Sequence, residues 1–171
     1  MRYDPLADPQ PLIRRVYAYV AYRIGDGAEA EDVTSATFER ALRYRSSFDP
    51  RRGDAASWLI GIARRCIADA LQDREIPTGD LPELPGEAHD ELVLSRLDLR
   101  DAVGRLDERD RELIALRFGA DLSARQIAEV LELKTNAVEV ALHRALARLR
   151  RALEPDDTSS AEFVLKPEAS P

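Results

Sequence analysis

The sequence is poor in the residues most chemistry needs. One cysteine, Cys66, admits no internal disulfide and no thiolate cluster for zinc. It falls among apolar residues at helical spacing, which predicts a buried structural thiol rather than a redox sensor. Two histidines, His89 and His143, leave no metal-spaced set, and no glycine-rich phosphate loop appears. No metal, no cofactor and no enzymatic activity are therefore expected. No apolar run approaches the roughly 18 residues of a membrane span. Met1 to Pro11 is polar and proline-containing, without an apolar signal core. The expectation is a cytoplasmic protein with no membrane insertion. Strand-like alternation is also missing, while apolar residues recur at three and four. The fold class is all-α.

Charge is unevenly spread. The chain carries −7 overall, which at face value disfavours a nucleic-acid partner. Segment by segment the sign changes. Residues 40–74 carry +4 and residues 123–153 carry +3, whereas residues 1–39 carry −3, residues 75–112 carry −7 and residues 154–171 carry −4. Two basic islands between acidic stretches are where phosphates can bind.

The first helix is expected from about Pro11 to Ile24, with Gly25 ending it. Asp26 and Glu29 have capping-box spacing and open a second helix that ends near Tyr44. Phe48–Asp54, with Pro50 and Gly53, reads as a loop. The third helix is expected from about Asp54 to Arg74. Its buried stripe is Trp58, Leu59, Ile62, Ala63, Cys66, Ile67, Ala70 and Leu71. Its other face holds Gly61, Arg64, Arg65, Ala68 and Gln72. Composition then shifts: Ile76–Asp90 is rich in proline, glycine and acids and contains no base, which marks a flexible linker. The acidic residues after 154 read as a disordered tail. The division is thus 1–74, linker 75–92, 93–153 and tail 154–171.

The second basic island has its own grammar. Ser123 and Gln126 form a capping box ahead of Ile127, Ala128 and Leu131. After a short turn at Glu132 and Leu133, a second helix puts Val138, Leu142, Ala145, Leu149 and Leu153 on one face. Ala128 supplies the small residue that steeply crossing helices require. This is a helix-turn-helix, and its outward residues are Thr135, Asn136, Glu139, Val140, His143 and Arg144. Glu132 stands where a left-handed glycine is common, at a cost of roughly 1–2 kcal/mol.

Several stretches resemble a known family. Leu106–Phe118, Leu122–Leu131, Val138 and Leu142–Ala145 resemble region 4 of the extracytoplasmic-function sigma factors. Glu31–Val33, Thr37–Phe38, Arg40–Leu42, Ser57–Arg64 and Asp69 resemble region 2 of the same sigma-70 subfamily. The resemblance covers about residues 10–74 and 95–153, and the linker is too short for the extra domain of larger sigma factors. It implies two small helical domains whose partners are core RNA polymerase, promoter DNA and an anti-sigma factor. Region 2 would melt the −10 element and region 4 would read the −35 element.

Carried over residue by residue, Asp32, Val33, Arg40 and Leu42 are the core-polymerase set. Arg51, Arg52, Arg64 and Arg65 are the −10 set; the family commonly has Asn where Arg65 stands. Trp58 and Phe38 read as core packing. For the −35 element, Ser123, Arg125 and Lys134 are placed to touch phosphates. Thr135, Asn136, Glu139, Val140, His143 and Arg144 face the groove. The family's common Lys, Ser and Arg are here Glu139, Val140 and Ala141, so base reading shifts toward a cytosine amino group at Glu139, a thymine methyl at Val140 and adenine at Asn136. Two other classes fit the residues less well. A conventional helix-turn-helix regulator with an N-terminal sensory or dimerising module would bind duplex alone. A pure polymerase-binding protein would not read DNA.

Overall fold

A computed structural model describes residues 4–74 and 99–154; the proposed linker and tail lie outside these residues. Helix α1 spans Pro9–Ile24, two residues earlier than expected, because Pro9 fits the first turn, where no intrahelical N–H bond is lost. Gly25 ends it at φ 95°, donating its N–H to Ala21 O. Helix α2 is Ala28–Arg43. The expected capping box does not form there: Gly27 is the N-cap with no side-chain bond, and the Asp26 carboxylate instead accepts from the Tyr17 hydroxyl. Glu29 and Glu31 in the first turn and Arg40 and Arg43 in the last still complement the helix dipole. Helix α3 is Ala55–Arg74, with Asp54 accepting from the Ser57 N–H at 2.7 Å.

These three helices pack around Val16, Tyr19, Val20, Ala30, Ala41, Leu59, Ala63, Cys66 and Ile67. The expected stripe on α3 is broader than drawn. Ala56 and Ile60 are also buried, while Trp58 and Ile62 sit at its edge. The breadth has a cause: α3 is covered by α1 and α2 on one side and by a later helix on another.

The second half begins with helix α4, residues 99–105. Helix α5, Glu108–Ile114, is capped by Asp107, which accepts from Asp110 N–H at 2.8 Å. It runs into a π-helical turn, Ala115–Gly119, one residue wider than an α-turn. Helices α6, Ala124–Leu131, and α7, Thr135–Leu153, follow. A small cluster of Ala102, Val103, Leu106, Ile114, Ala145 and Leu149 holds α4, α5 and α7 together. No strand occurs among the described residues.

Two helical halves are therefore present, as the sequence implies, but they share one core. Leu113, Leu116, Leu122, Ile127 and Val138 of the second half are continuous with the core of the first. The backbones meet closely at Gly119. A Cβ there would lie 2.8 Å from Tyr19 Cα, so the π-turn rests on the bare backbone of α1.

Candidate nucleic-acid interface

The helix-turn-helix is built from its caps outward. Ser123 Oγ accepts from Gln126 N–H at 3.3 Å, and Gln126 Oε1 accepts from Ser123 N–H at 2.8 Å. This reciprocal pair fixes where α6 starts. Glu132 ends it in the left-handed region, φ 56° and ψ 41°, and Leu133 donates its N–H back to Ala128 O at 2.9 Å. Ala128 is buried at the crossing, as the sequence predicts. Helix α7 turns Val138, Leu142, Ala145 and Leu149 inward. Leu153 does not join them; it is 43% exposed, because the cluster beneath α7 ends near Ala152.

All six outward positions, Thr135, Asn136, Glu139, Val140, His143 and Arg144, are exposed on one continuous face. Ser123, Arg125 and Lys134 are exposed at its rim, with Arg125 in an i,i+4 pair with Glu129. Among the described residues no ion pair engages Lys134, His143 or Arg144. Arg148 differs. It pairs at 2.6 Å with Asp110, a buried carboxylate, and so clamps α7 to α5. In sequence it is one of the arginines Arg144, Arg148, Arg150 and Arg151, and that gives no hint of this pairing, because Asp110 lies 38 residues away.

The region-2 set is arranged differently. Arg51, Arg52 and Arg65 are exposed, and among the described residues none is in an ion pair. Arg64 is occupied. Its Nε meets Glu112 Oε1 at 3.0 Å, and its Nη1 donates to Val130 O at 3.1 Å. Beside it lies a cleft of about 400 Å³ between the 48–54 loop and α6. Phe48, Arg52, Ser57, Trp58 and Val130 line it. Phe48 and Trp58 meet edge to face, centroids 5.4 Å apart. Ser57 Oγ is buried there without a hydrogen-bond partner among the described residues. Sequence reasoning singled out the loop arginines but not Phe48 or Ser57. Ser57 follows Asp54 at capping spacing, and that was the available signal.

In the polymerase-binding set, Asp32 is exposed and Leu42 is 60% exposed. Tyr44, not singled out from sequence, is 59% exposed at the C-cap of α2, so two large apolar side chains are exposed at this end of the helix. Arg40 pairs with Asp69 at 2.7 Å, which holds its guanidinium still more firmly protonated. Val33 is corrected: at 5% exposure it packs into the core and offers no contact surface. Its neighbour Asp32 points out because adjacent helical positions face different sides.

Residues 10–75 match Sigma-70 region 2 and residues 82–149 match Sigma-70, region 4. The chain is similar to the ECF RNA polymerase sigma factor BldN of Streptomyces coelicolor, 38% identical over 151 residues, 83% of this chain and 57% of BldN. It thus spans little more than half of that relative's length. It is 32% identical over 136 residues to the RNA polymerase sigma-E factor of Streptomyces antibioticus, covering 78% of this chain and 76% of that protein. Its fold is shared with the sigma factor RpoE of Bartonella quintana, solved in complex with the anti-sigma factor NepR: TM-score 0.66 at 20% identity, over 85% of this chain and 93% of that one. The order of the two regions, the capped helix-turn-helix and these likenesses agree, and the chain belongs to the extracytoplasmic-function group of the sigma-70 family.

Proposed function

We propose that this chain binds core RNA polymerase and directs it to promoters, with residues 1–74 and 93–153 as the two promoter-facing domains, residues 75–92 as the linker and residues 154–171 as a tail. It acts in the cytoplasm, catalyses no reaction of its own and needs no cofactor. The observation that carries this reading is the α7 face. A reciprocally capped helix-turn-helix presents six exposed side chains with no competing ion pair among the described residues, on the same chain as a region-2 bundle. Such a helix enters the major groove, while Ser123, Arg125 and Lys134 at its rim reach phosphates. Glu139, Val140 and Asn136 read bases; Arg144 adds charge.

The −10 side uses Arg51, Arg52, Arg64 and Arg65 to hold an unpaired strand. The Phe48–Trp58 cleft supplies the aromatic surface that unstacked bases favour. Asp32, Leu42 and Arg40, with Tyr44 added, face core polymerase. An anti-sigma factor is a further partner, supported by the complex of the Bartonella quintana relative with NepR. Run-off transcription with purified core polymerase tests the whole reading. A promoter-specific transcript that requires this chain is expected. Its absence on every candidate template, with folded protein, sinks the proposal. A conventional regulator would instead footprint duplex DNA without polymerase.

A further inference from the structure

The turn that follows α2 holds a serine among arginines. Helix α2 ends at Arg43, and Arg45–Ser47 form a single 3-10 turn. Ser46 is exposed, and among the described residues no hydrogen bond engages its hydroxyl. Its neighbour Ser47 is tied, donating through Oγ to Tyr44 O at 2.7 Å. Arg43 and Arg45 stand three residues and one residue before Ser46, and both are exposed. Arg45 meets Asp4 at 3.5 Å, and among the described residues no ion pair engages Arg43. From Arg43 to Arg52 the chain carries four arginines and a single acid, Asp49.

No other described serine or threonine has this setting. Thr34, Thr37 and Ser57 are buried. The hydroxyls of Ser47 and Ser123 are bonded. Ser35 and Thr135 are exposed, but each has an acid three residues before it, Asp32 and Glu132. An open hydroxyl behind two exposed guanidinium groups is what an arginine-directed protein kinase selects. Its acidic pockets hold the arginines and so place the hydroxyl. The segment must extend to enter such a cleft, and little resists this. The turn is closed by two backbone bonds at the surface, Ser47 N–H to Tyr44 O at 2.8 Å and Phe48 N–H to Arg45 O at 3.3 Å.

We propose that Ser46 is a phosphorylation site that turns down the −10 side of this chain. The regulatory consequence rests on the reading of Arg51 and Arg52 as promoter contacts. The kinase moves the γ-phosphoryl group of ATP to Ser46 Oγ. The bond to the β-phosphate oxygen breaks, the hydroxyl proton passes to the base of the kinase, and ADP leaves. The product adds about −2 charge near pH 7 and three strong acceptor oxygens. Two effects then compete. A phosphate beyond the C-terminal end of α2 is opposed by the helix dipole. Arg43 and Arg45, within a turn of it, offset this through charge-assisted bonds. Those bonds keep the phosphate on the loop that carries Arg51 and Arg52, where like charge repels a promoter strand. The α7 face lies on the other half and keeps its charge.

The test treats the full chain with ATP and a purified arginine-directed serine/threonine kinase. Mass mapping should place one phosphate on Ser46, and Ser46→Ala should remove it. Phosphate on other residues alone, or none while a control substrate is labelled, overturns the site. In reconstituted transcription the phosphorylated chain should fall at least fivefold, phosphatase should restore it, and kinase-treated Ser46→Ala should match the untreated chain. Equal transcription with and without the phosphate overturns the regulatory role. Polymerase loaded with the phosphorylated chain should bind a fork carrying only the −10 element at least fivefold more weakly, with binding to a duplex carrying only the −35 element unchanged. Equal loss on both would move the effect to the polymerase-facing end of α2 and overturn the −10 route. If the untreated chain is itself silent, the sigma reading fails, while the mass map still decides the site.

Discussion

The two candidate DNA faces of this molecule are in opposite states. On α7 the six outward side chains are exposed and, among the described residues, no ion pair engages them. On α3 the central arginine, Arg64, is already held by an acid and a carbonyl from the other half. Both islands look alike in sequence, as clusters of arginine between acidic segments. What separates them is packing. The α7 face looks away from the shared core, whereas the α3 face looks across it. Charge content therefore locates where phosphates can bind but not whether the site is vacant.

The strongest way to break the contrast is to force the halves apart sterically. Gly119→Val places side-chain carbon against the backbone of Tyr19, where no rotamer can relieve the contact. It should cost about 3 kcal/mol of unfolding free energy, read as a lowered denaturant midpoint. Helix content should persist. An unaltered midpoint would mean that the halves do not pack in solution.

The next effect isolates α7. Arg148→Ala leaves the buried Asp110 carboxylate unpartnered. Loss of a fully buried partner costs roughly 3–5 kcal/mol, and because Arg148 is about half exposed, near 2 kcal/mol is expected. The loss should appear in the unfolding midpoint rather than only in DNA affinity. An effect confined to affinity would place Arg148 among the DNA contacts instead.

Within the free face itself, two substitutions should diverge. Glu139→Ala should change which upstream base is preferred, by about 1–3 kcal/mol of discrimination. Arg144→Ala should weaken polymerase-dependent binding to all templates alike and lower the salt slope by about 1. Selection experiments with randomised upstream elements distinguish the two, and an unaltered preference after Glu139→Ala excludes it from base reading.

The smallest effect is alkaline. Burial, then the charge of Glu112, holds the Tyr19 hydroxyl well above its usual value of 10.0. The folded state therefore retains a proton that the unfolded chain releases near pH 10. Stability should be flat on this account below pH 10 and fall above it, as the unfolded state gains by ionising. Tyr17, raised chiefly by its hydrogen bond to Asp26, contributes in the same direction. Comparing urea midpoints at pH 9 and 11 for Tyr19→Phe and Tyr17→Phe separates them; equal slopes in all three proteins would deny Tyr19 its buried role.

Much of the fold was legible because local rules carried it. The Ser123–Gln126 box, the left-handed Glu132, the end of α1 at Gly25 and the six outward positions of α7 follow from spacing and residue type alone. Elsewhere local rules met a competitor. Asp26 was read as a cap, but the Tyr17 hydroxyl lies closer in the folded chain. Leu153 continued a periodic stripe past the point where its partners ended. Val33 carried a family role in sequence, yet its helical phase buries it. The Arg64–Glu112 and Arg148–Asp110 pairs span dozens of residues, and no periodicity encodes a pairing between separate helices.

Gly119 has a consequence for how this sequence can drift. Its missing side chain lets α1 lie on the π-turn, yet it lies on neither of the surfaces proposed to face DNA. A library randomised at this codon and selected for transcription through those surfaces would tolerate larger residues only as far as the fold bears the lost packing. The same library selected for thermal stability would keep glycine. The residue thus reports which pressure, output or stability, has shaped the chain.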